Sequence, residues 1–182
     1  MNFKKVIQLL IDFFERERID YALIGAFALK AYGYVRATQD VDFIVRQEDQ
    51  RIIITNLESL GFETLYSSTG YSNHVHPLSG LGRIDFVYVK GGTAERIFNE
   101  SRRVLVFGDL TLPVVKPEHI VALKVFAMKN NPERTLREMA DIKELLSLSE
   151  INLHEVREYF EKYGQLERYY ELVGEKHKKQ GS

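Results

Sequence analysis

The 182 residues contain no cysteine. Without a thiol there is no disulfide, no cysteine-ligated zinc or iron–sulfur cluster, and no cysteine nucleophile. A dominant charge is also missing: 25 Lys and Arg stand against 26 Asp and Glu, a net charge of -1. That balance excludes a histone-like basic protein and a long acidic tail, although a local basic patch for nucleic acid fits inside a neutral total. Uncharged runs fall well short of the ~18 apolar residues that span a bilayer. The opening MNFKKVIQLLIDFFERER has lysines ahead of apolar residues, as a signal peptide does. Gln8 and Asp12 interrupt that run, and no small-residue cleavage site follows. A cytoplasmic protein without membrane association is expected. No Walker-type glycine loop and no Gly-x-Gly-x-x-Gly occurs, which excludes a P-loop ATPase and a Rossmann dehydrogenase.

What is present is material for a core. Hydrophobic residues make up 45% and aromatics 12%, which argues against extensive disorder. At ~150 residues per domain, the length suits one domain, or one with a small appendage. Phe3, Val6, Ile7, Leu10, Phe13 and Phe14 recur at helical spacing in 3–18. Strands are expected at 21–24, 41–45, 62–66, 83–90, 104–107 and 110–115, the last two joined by a Gly108-Asp109 turn. Helices are expected at 26–32, 49–60 and 93–101, with Thr93 as an N-cap. Residues 67–82 read as loop. From Pro117 onward the pattern is helical: 117–129, 133–147, 152–163 and 165–173. The stripe Leu136, Met139, Ile142 and Leu146 needs cover.

The chemistry concentrates in YALIGAFALKAYGYVRATQDVDFIVR, residues 21–46. A strand runs through Gly25 straight into a helix, whose first N–H groups and positive dipole end suit a phosphate. Asp40 and Asp42 lie two apart at the start of an apolar strand, so both carboxylates point to one side. Like charges held that close call for a cation, and hard oxygen ligands suit Mg²⁺. Asp85 is a lone carboxylate inside RIDFVYV. If its strand lies beside 41–45, the three acids can hold two Mg²⁺ ions around a phosphoryl group. Asp85 is otherwise an ion-pair partner for Arg36 or Arg83. Arg36 and Thr38, in the loop before the acidic pair, are placed to touch phosphate or to brace the carboxylates. Lys124 is the one charge in an otherwise apolar helical stretch and either needs an anion, a triphosphate or Asp141, or must snorkel out to solvent. His74 and His76 are one ligand short of a good metal site, so polar loop contacts or an acceptor-side surface are expected there.

These features together resemble the nucleotidyltransferase superfamily with the DNA polymerase β-like palm. Its signature is a Gly-Gly, Gly-Ser or similar pair opening a helix, then Asp-x-Asp, then a distant Asp on a neighbouring strand. Those positions here read Gly25-Ala26, Asp40-x-Asp42 and Asp85. The wording RATQDVDF looks most like AbiEii-type and related small bacterial and archaeal nucleotidyltransferases. That group tends to continue with a helix carrying a buried Lys and a helix with an Asp-Ile pair. Here these read PEHIVALKVFAMK, with Lys124, and RTLREMADIKELL, with Asp141; the likeness spans roughly residues 20–146.

The resemblance implies an α+β fold: a nucleotidyltransferase mixed sheet with flanking helices over 1–115, then a helical region over 116–180 packed on it. It implies Mg²⁺-dependent transfer of NMP from an NTP to a hydroxyl of an RNA, such as tRNA, or of a protein, with release of pyrophosphate. Asp40, Asp42 and Asp85 would be the catalytic metal ligands, for two ions once NTP is bound. Gly25, Ala26, Arg36, Thr38, Lys124 and Asp141 would bind the nucleotide. A toxin role with an antitoxin partner protein is a further implication. Two alternatives accompany it: an antibiotic-modifying nucleotidyltransferase with the same motif, and a module that binds nucleotide or protein without turnover. Ala26 favours the last, since many members have a phosphate-binding Ser there. Glu138 also departs from the Asp often found in related sequences.

Overall fold

The computed structural model describes residues 3–38, 40–77, 82–106 and 110–179, with the backbone alone at 3 and 175–179. The chain forms two compact units, Met1–Val115 and Lys116–Ser182. Among the described residues no helix is long and apolar enough to cross a membrane.

The first unit is built on a mixed sheet of seven strands: β1 (Tyr21–Ile24), β2 (Asp40–Arg46), β3 (Glu63–Ser67), β4 (Tyr71–Val75), β5 (Arg83–Val89), β6 (Arg102–Val106) and β7 (Leu110–Val114). Their order is β3-β4-β5-β2-β1-β7-β6, so chain-distant β2 and β5 are neighbours. The β2–β5 and β1–β7 pairs are parallel; the others are antiparallel. Helix α1 (Phe3–Glu17) covers one face of the centre. Its buried Phe14 meets the rings of Phe43 and Phe86 edge-on at 5.6 and 6.3 Å. The helix ends at Arg18, in left-handed geometry (φ 58), and Ile19 N–H closes back on the Phe14 carbonyl at 2.8 Å. Helix α2 (Gly25–Ala31) follows β1 with no loop, α3 (Gln50–Ser59) precedes β3, and α4 (Gly91–Glu100) follows β5. Gly25 and Gly91 adopt φ of +65 and +56, which lets the chain pass from strand to helix in one residue.

Most elements lie where the sequence patterns put them, with three differences. Residues 71–75, expected as loop, form strand β4. Its alternation is inverted: polar Ser72 and His74 are fully buried, while Tyr71, Asn73 and Val75 are half-buried. Burial is tolerated because the polar groups satisfy one another. The Ser72 hydroxyl lies 2.7 Å from Tyr88 Oη and 2.8 Å from His74 Nε2, and His74 Nδ1 lies 3.1 Å from Thr64 Oγ1. Second, α4 starts at Gly91, so Lys90 and not Thr93 holds the N-cap position, with no side-chain cap. Third, the last helix runs to Lys179 rather than 173. The expected Gly108-Asp109 turn lies outside the described residues.

The second unit is helical: α5 (Pro117–Asn130), α6 (Thr135–Leu145), α7 (Leu153–Lys162) and α8 (Leu166–Lys179). Pro117 starts α5, where its missing N–H costs nothing. Asn152 caps α7 by accepting from the N–H groups of His154 and Glu155, both at 3.1 Å. The expected stripe of 136, 139, 142 and 146 holds at Ile142 and Leu146, which are buried, and is corrected at Leu136. Leu136 is 87% exposed, and the buried face carries Glu138, Asp141, Ile142 and Leu145. Both acids occupy that face because they neutralise Lys124: its Nζ donates to Glu138 Oε2 at 2.7 Å and Asp141 Oδ2 at 2.6 Å. Arg134 Nη2, at 2.6 Å from Glu138 Oε1, balances the second carboxylate.

Candidate active site

The predicted acids come together through strand register. β2 and β5 run parallel with Asp42 opposite Asp85 and Asp40 opposite Arg83. Register partners point to the same face, and so do residues two apart on a strand. Asp40, Asp42, Arg83 and Asp85 therefore share one face of two adjacent strands. The Arg83 guanidinium spans two of the acids, with Nη2 at 2.6 Å from Asp40 Oδ2 and Nε at 3.3 Å from Asp85 Oδ1. Burial works against the Arg83 charge, but Asp85 and Asp40 outweigh it and raise the guanidinium pKa further.

Gly25 abuts the same cluster. Ile24 pairs with Asp42 across β1 and β2, which brings the turn against the Asp42 side chain. A Cβ at Gly25 would overlap the Asp42 carboxylate. The strand-to-helix turn and the second acid of the pair are thus in van der Waals contact. Ala26 is buried, so backbone is what this turn has to offer a ligand. Thr38 braces the first acid through the main chain, its hydroxyl 3.2 Å from both the N–H and the carbonyl of Asp40. Arg36 is half-buried in the loop that leads to β2.

Tyr71 was not foreseen. It lies on β4, and its hydroxyl hydrogen-bonds the Asp85 carboxylate. Burial first, then the Asp85 bond and charge, raise its pKa, so the phenol stays protonated and acts as donor to Asp85. Reading 67–82 as loop concealed it; the alternation Tyr71, Asn73, Val75 just before the strand that carries Asp85 was the available signal. Lys124 and Asp141 lie in the second unit, where Lys124 pairs with both Asp141 and Glu138. Burial tends to raise the Glu138 pKa, but Lys124 and Arg134 reverse it, leaving the carboxyl below its ordinary value. His74 is held in β4 by Thr64 and Ser72.

The donors on β2 and β5 are carboxylate oxygens, the ligand type a hard divalent cation takes, and a cationic group, the Arg83 guanidinium, stands between two of them.

No protein-family model and no curated protein matches the sequence. Solved structures do match. The antibiotic-resistance factor ANT(2'')-Ia superimposes with a TM-score of 0.68 at 14% identity, over 97% of this chain and 99% of that one. A second structure of ANT(2'')-Ia, in complex with adenylyl-2''-tobramycin, gives 0.64 at 12% identity over 87% and 95%. The lincomycin-bound lincosamide antibiotic adenylyltransferase LnuA gives 0.54 at 17% identity over 80% and 97%. At these identities the likeness is one of fold. With its seven-stranded mixed sheet, flanking helices and strand order, the chain has the nucleotidyltransferase fold.

Proposed function

We propose that this chain is a metal-dependent nucleotidyltransferase, moving a nucleoside monophosphate from a nucleoside triphosphate to an acceptor hydroxyl. The supporting observation is the alignment of Asp42 with Asp85, and of Asp40 beside them, against the Gly25 turn. Asp40, Asp42 and Asp85 would hold Mg²⁺, which when bound offsets triphosphate charge and lowers the pKa of the attacking hydroxyl. The acceptor oxygen bonds the α-phosphorus while the bond from that phosphorus to the bridging oxygen of the β-phosphate breaks. Pyrophosphate leaves, and the hydroxyl proton passes to the Asp85 carboxylate. Tyr71, as donor to Asp85, fixes the orientation of that carboxylate. The backbone at Gly25 and Ala26, together with Arg36 and Thr38, makes up the proposed phosphate contacts. Lys124 and Asp141 are the candidates in the second unit, where a nucleotide would have to draw the Lys124 ammonium from Glu138 and Asp141.

For the acceptor, a small-molecule hydroxyl is supported by the likeness to an antibiotic-resistance factor over 97% of this chain and to a lincosamide adenylyltransferase over 80% of it. The second reading is an RNA such as tRNA, or a protein, with a toxin role and an antitoxin partner; the RATQDVDF wording supports it. The test uses α-labelled NTPs with Mg²⁺ and, in parallel, an aminoglycoside, a lincosamide, total tRNA and a protein extract. Label transfer with pyrophosphate release, abolished by Asp42→Asn, is the expected result. Transfer that Asp42→Asn leaves intact overturns the assigned site. Nucleotide binding without pyrophosphate release points to a non-catalytic module, the reading that Ala26 favours.

A further inference from the structure

We propose that Arg83 is a resident counter-ion of the acidic cluster, occupying the place of a divalent cation between Asp40 and Asp85, so that the metal binds by displacing it. The inference rests on the metal-dependent reading of this site. The guanidinium contacts both acids, at 2.6 Å and 3.3 Å. Three carboxylates on one sheet face repel one another in the absence of metal, and a bridging cation relieves that repulsion. A planar guanidinium can serve two carboxylates at once, which a single ammonium cannot do equally well.

The surroundings allow exchange. The Arg83 side chain is 41% exposed, against 9% for that of Asp85, so the arginine has a path to solvent while the acid stays enclosed. The carboxylates have holders other than Arg83. Tyr71 hydrogen-bonds Asp85, Thr38 braces the Asp40 backbone, and Asp42 lies against Gly25. When Arg83 swings out, the ligands therefore keep their places. The arginine then sets a threshold: metal alone competes poorly with it, and metal arriving on a triphosphate competes well.

The experiment is a Mn²⁺ titration of the full chain without nucleotide, with free Mn²⁺ followed by its electron paramagnetic resonance signal. Arg83→Gln is expected to bind Mn²⁺ about three- to tenfold more tightly than the unaltered protein, the scale of a partly exposed ion-pair pair. Asp42→Asn is expected to abolish binding. Equal or weaker binding by Arg83→Gln, with normal binding by the unaltered chain, overturns the counter-ion role and leaves the metal reading standing. Absence of Mn²⁺ binding by both the unaltered chain and Arg83→Gln overturns both. If circular dichroism shows Arg83→Gln unfolded, Arg83→Lys decides: its single ammonium spans the acids less well, so binding should tighten about twofold, and no change overturns the proposal.

Discussion

At the scale of single residues, two positions couple local chemistry to stability. Gly25 satisfies a positive φ and leaves room for the Asp42 carboxylate, so Gly25→Ala meets both penalties. We expect a loss of about 1–3 kcal/mol in denaturant unfolding, together with weakened nucleotide transfer. His74 is the other. Thr64 also donates to Glu58 Oε1 at 2.9 Å, so His74 Nδ1–H donates to Thr64 and neutral Nε2 accepts from Ser72. Burial lowers the His74 pKa from 6.5, although Glu58 opposes the shift. The unfolded chain then takes up the proton first, so stability is complete above about pH 6.5 and falls as pH drops below it, by at most ~1.4 kcal/mol per pH unit. Urea unfolding at pH 7.5 and 5.5 should show a smaller difference for His74→Gln than for the unaltered chain. Residue types at fixed spacing made Gly25, Asp40, Asp42 and Asp85 legible. Tyr71 and the bridging geometry of Arg83 were not, because each depends on which strand lies beside β5.

At the scale of elements, periodicity located the strands and helices whose buried faces are apolar and misjudged the two whose buried faces carry polar groups. β4 turns Ser72 and His74 inward, so a hydrophobic pattern points it the wrong way, and α6 adds Glu138 and Asp141 to a buried face that also holds Ile142 and Leu145. The partners that make this possible, Tyr88 and Lys124, lie on other elements, and no local window contains them. On α6, Leu136→Ser should change stability by less than ~0.5 kcal/mol, because Leu136 is 87% exposed. Lys124→Met should cost about 3–5 kcal/mol, since it takes the shared ammonium from two enclosed carboxylates, of which Glu138 keeps Arg134. Thermal or urea melts of the two variants compare them directly. At the end of α1, Arg18 occupies a left-handed position that glycine takes without strain. Arg18→Gly should therefore stabilise the protein by roughly 1 kcal/mol.

At the scale of the whole molecule, topology does what sequence proximity cannot. The order β5-β2-β1 sets Asp85 next to Asp42 and Asp42 next to the Gly25 turn, although long stretches of chain separate them. The fold class was legible from the succession of elements together with the acidic motif. The neighbour relation of β2 and β5 was conditional at that stage, because parallel pairing leaves no local turn signal. A net charge of -1 conceals the cluster entirely. Gathering three acids on one face also has a thermodynamic side. Asp42→Asn should remove nucleotide transfer while leaving the melting temperature unchanged or higher, as like-charge repulsion falls. Calorimetry beside the transfer assay reads both.

The contact between Gly25 and Asp42 has a consequence for descent. Two positions seventeen apart in the chain cannot drift independently, because any side chain at one needs the other to shrink. A library randomised at both should return glycine at 25 wherever aspartate survives at 42. Larger residues at 25 should appear in lineages that have surrendered the acid, and with it the chemistry.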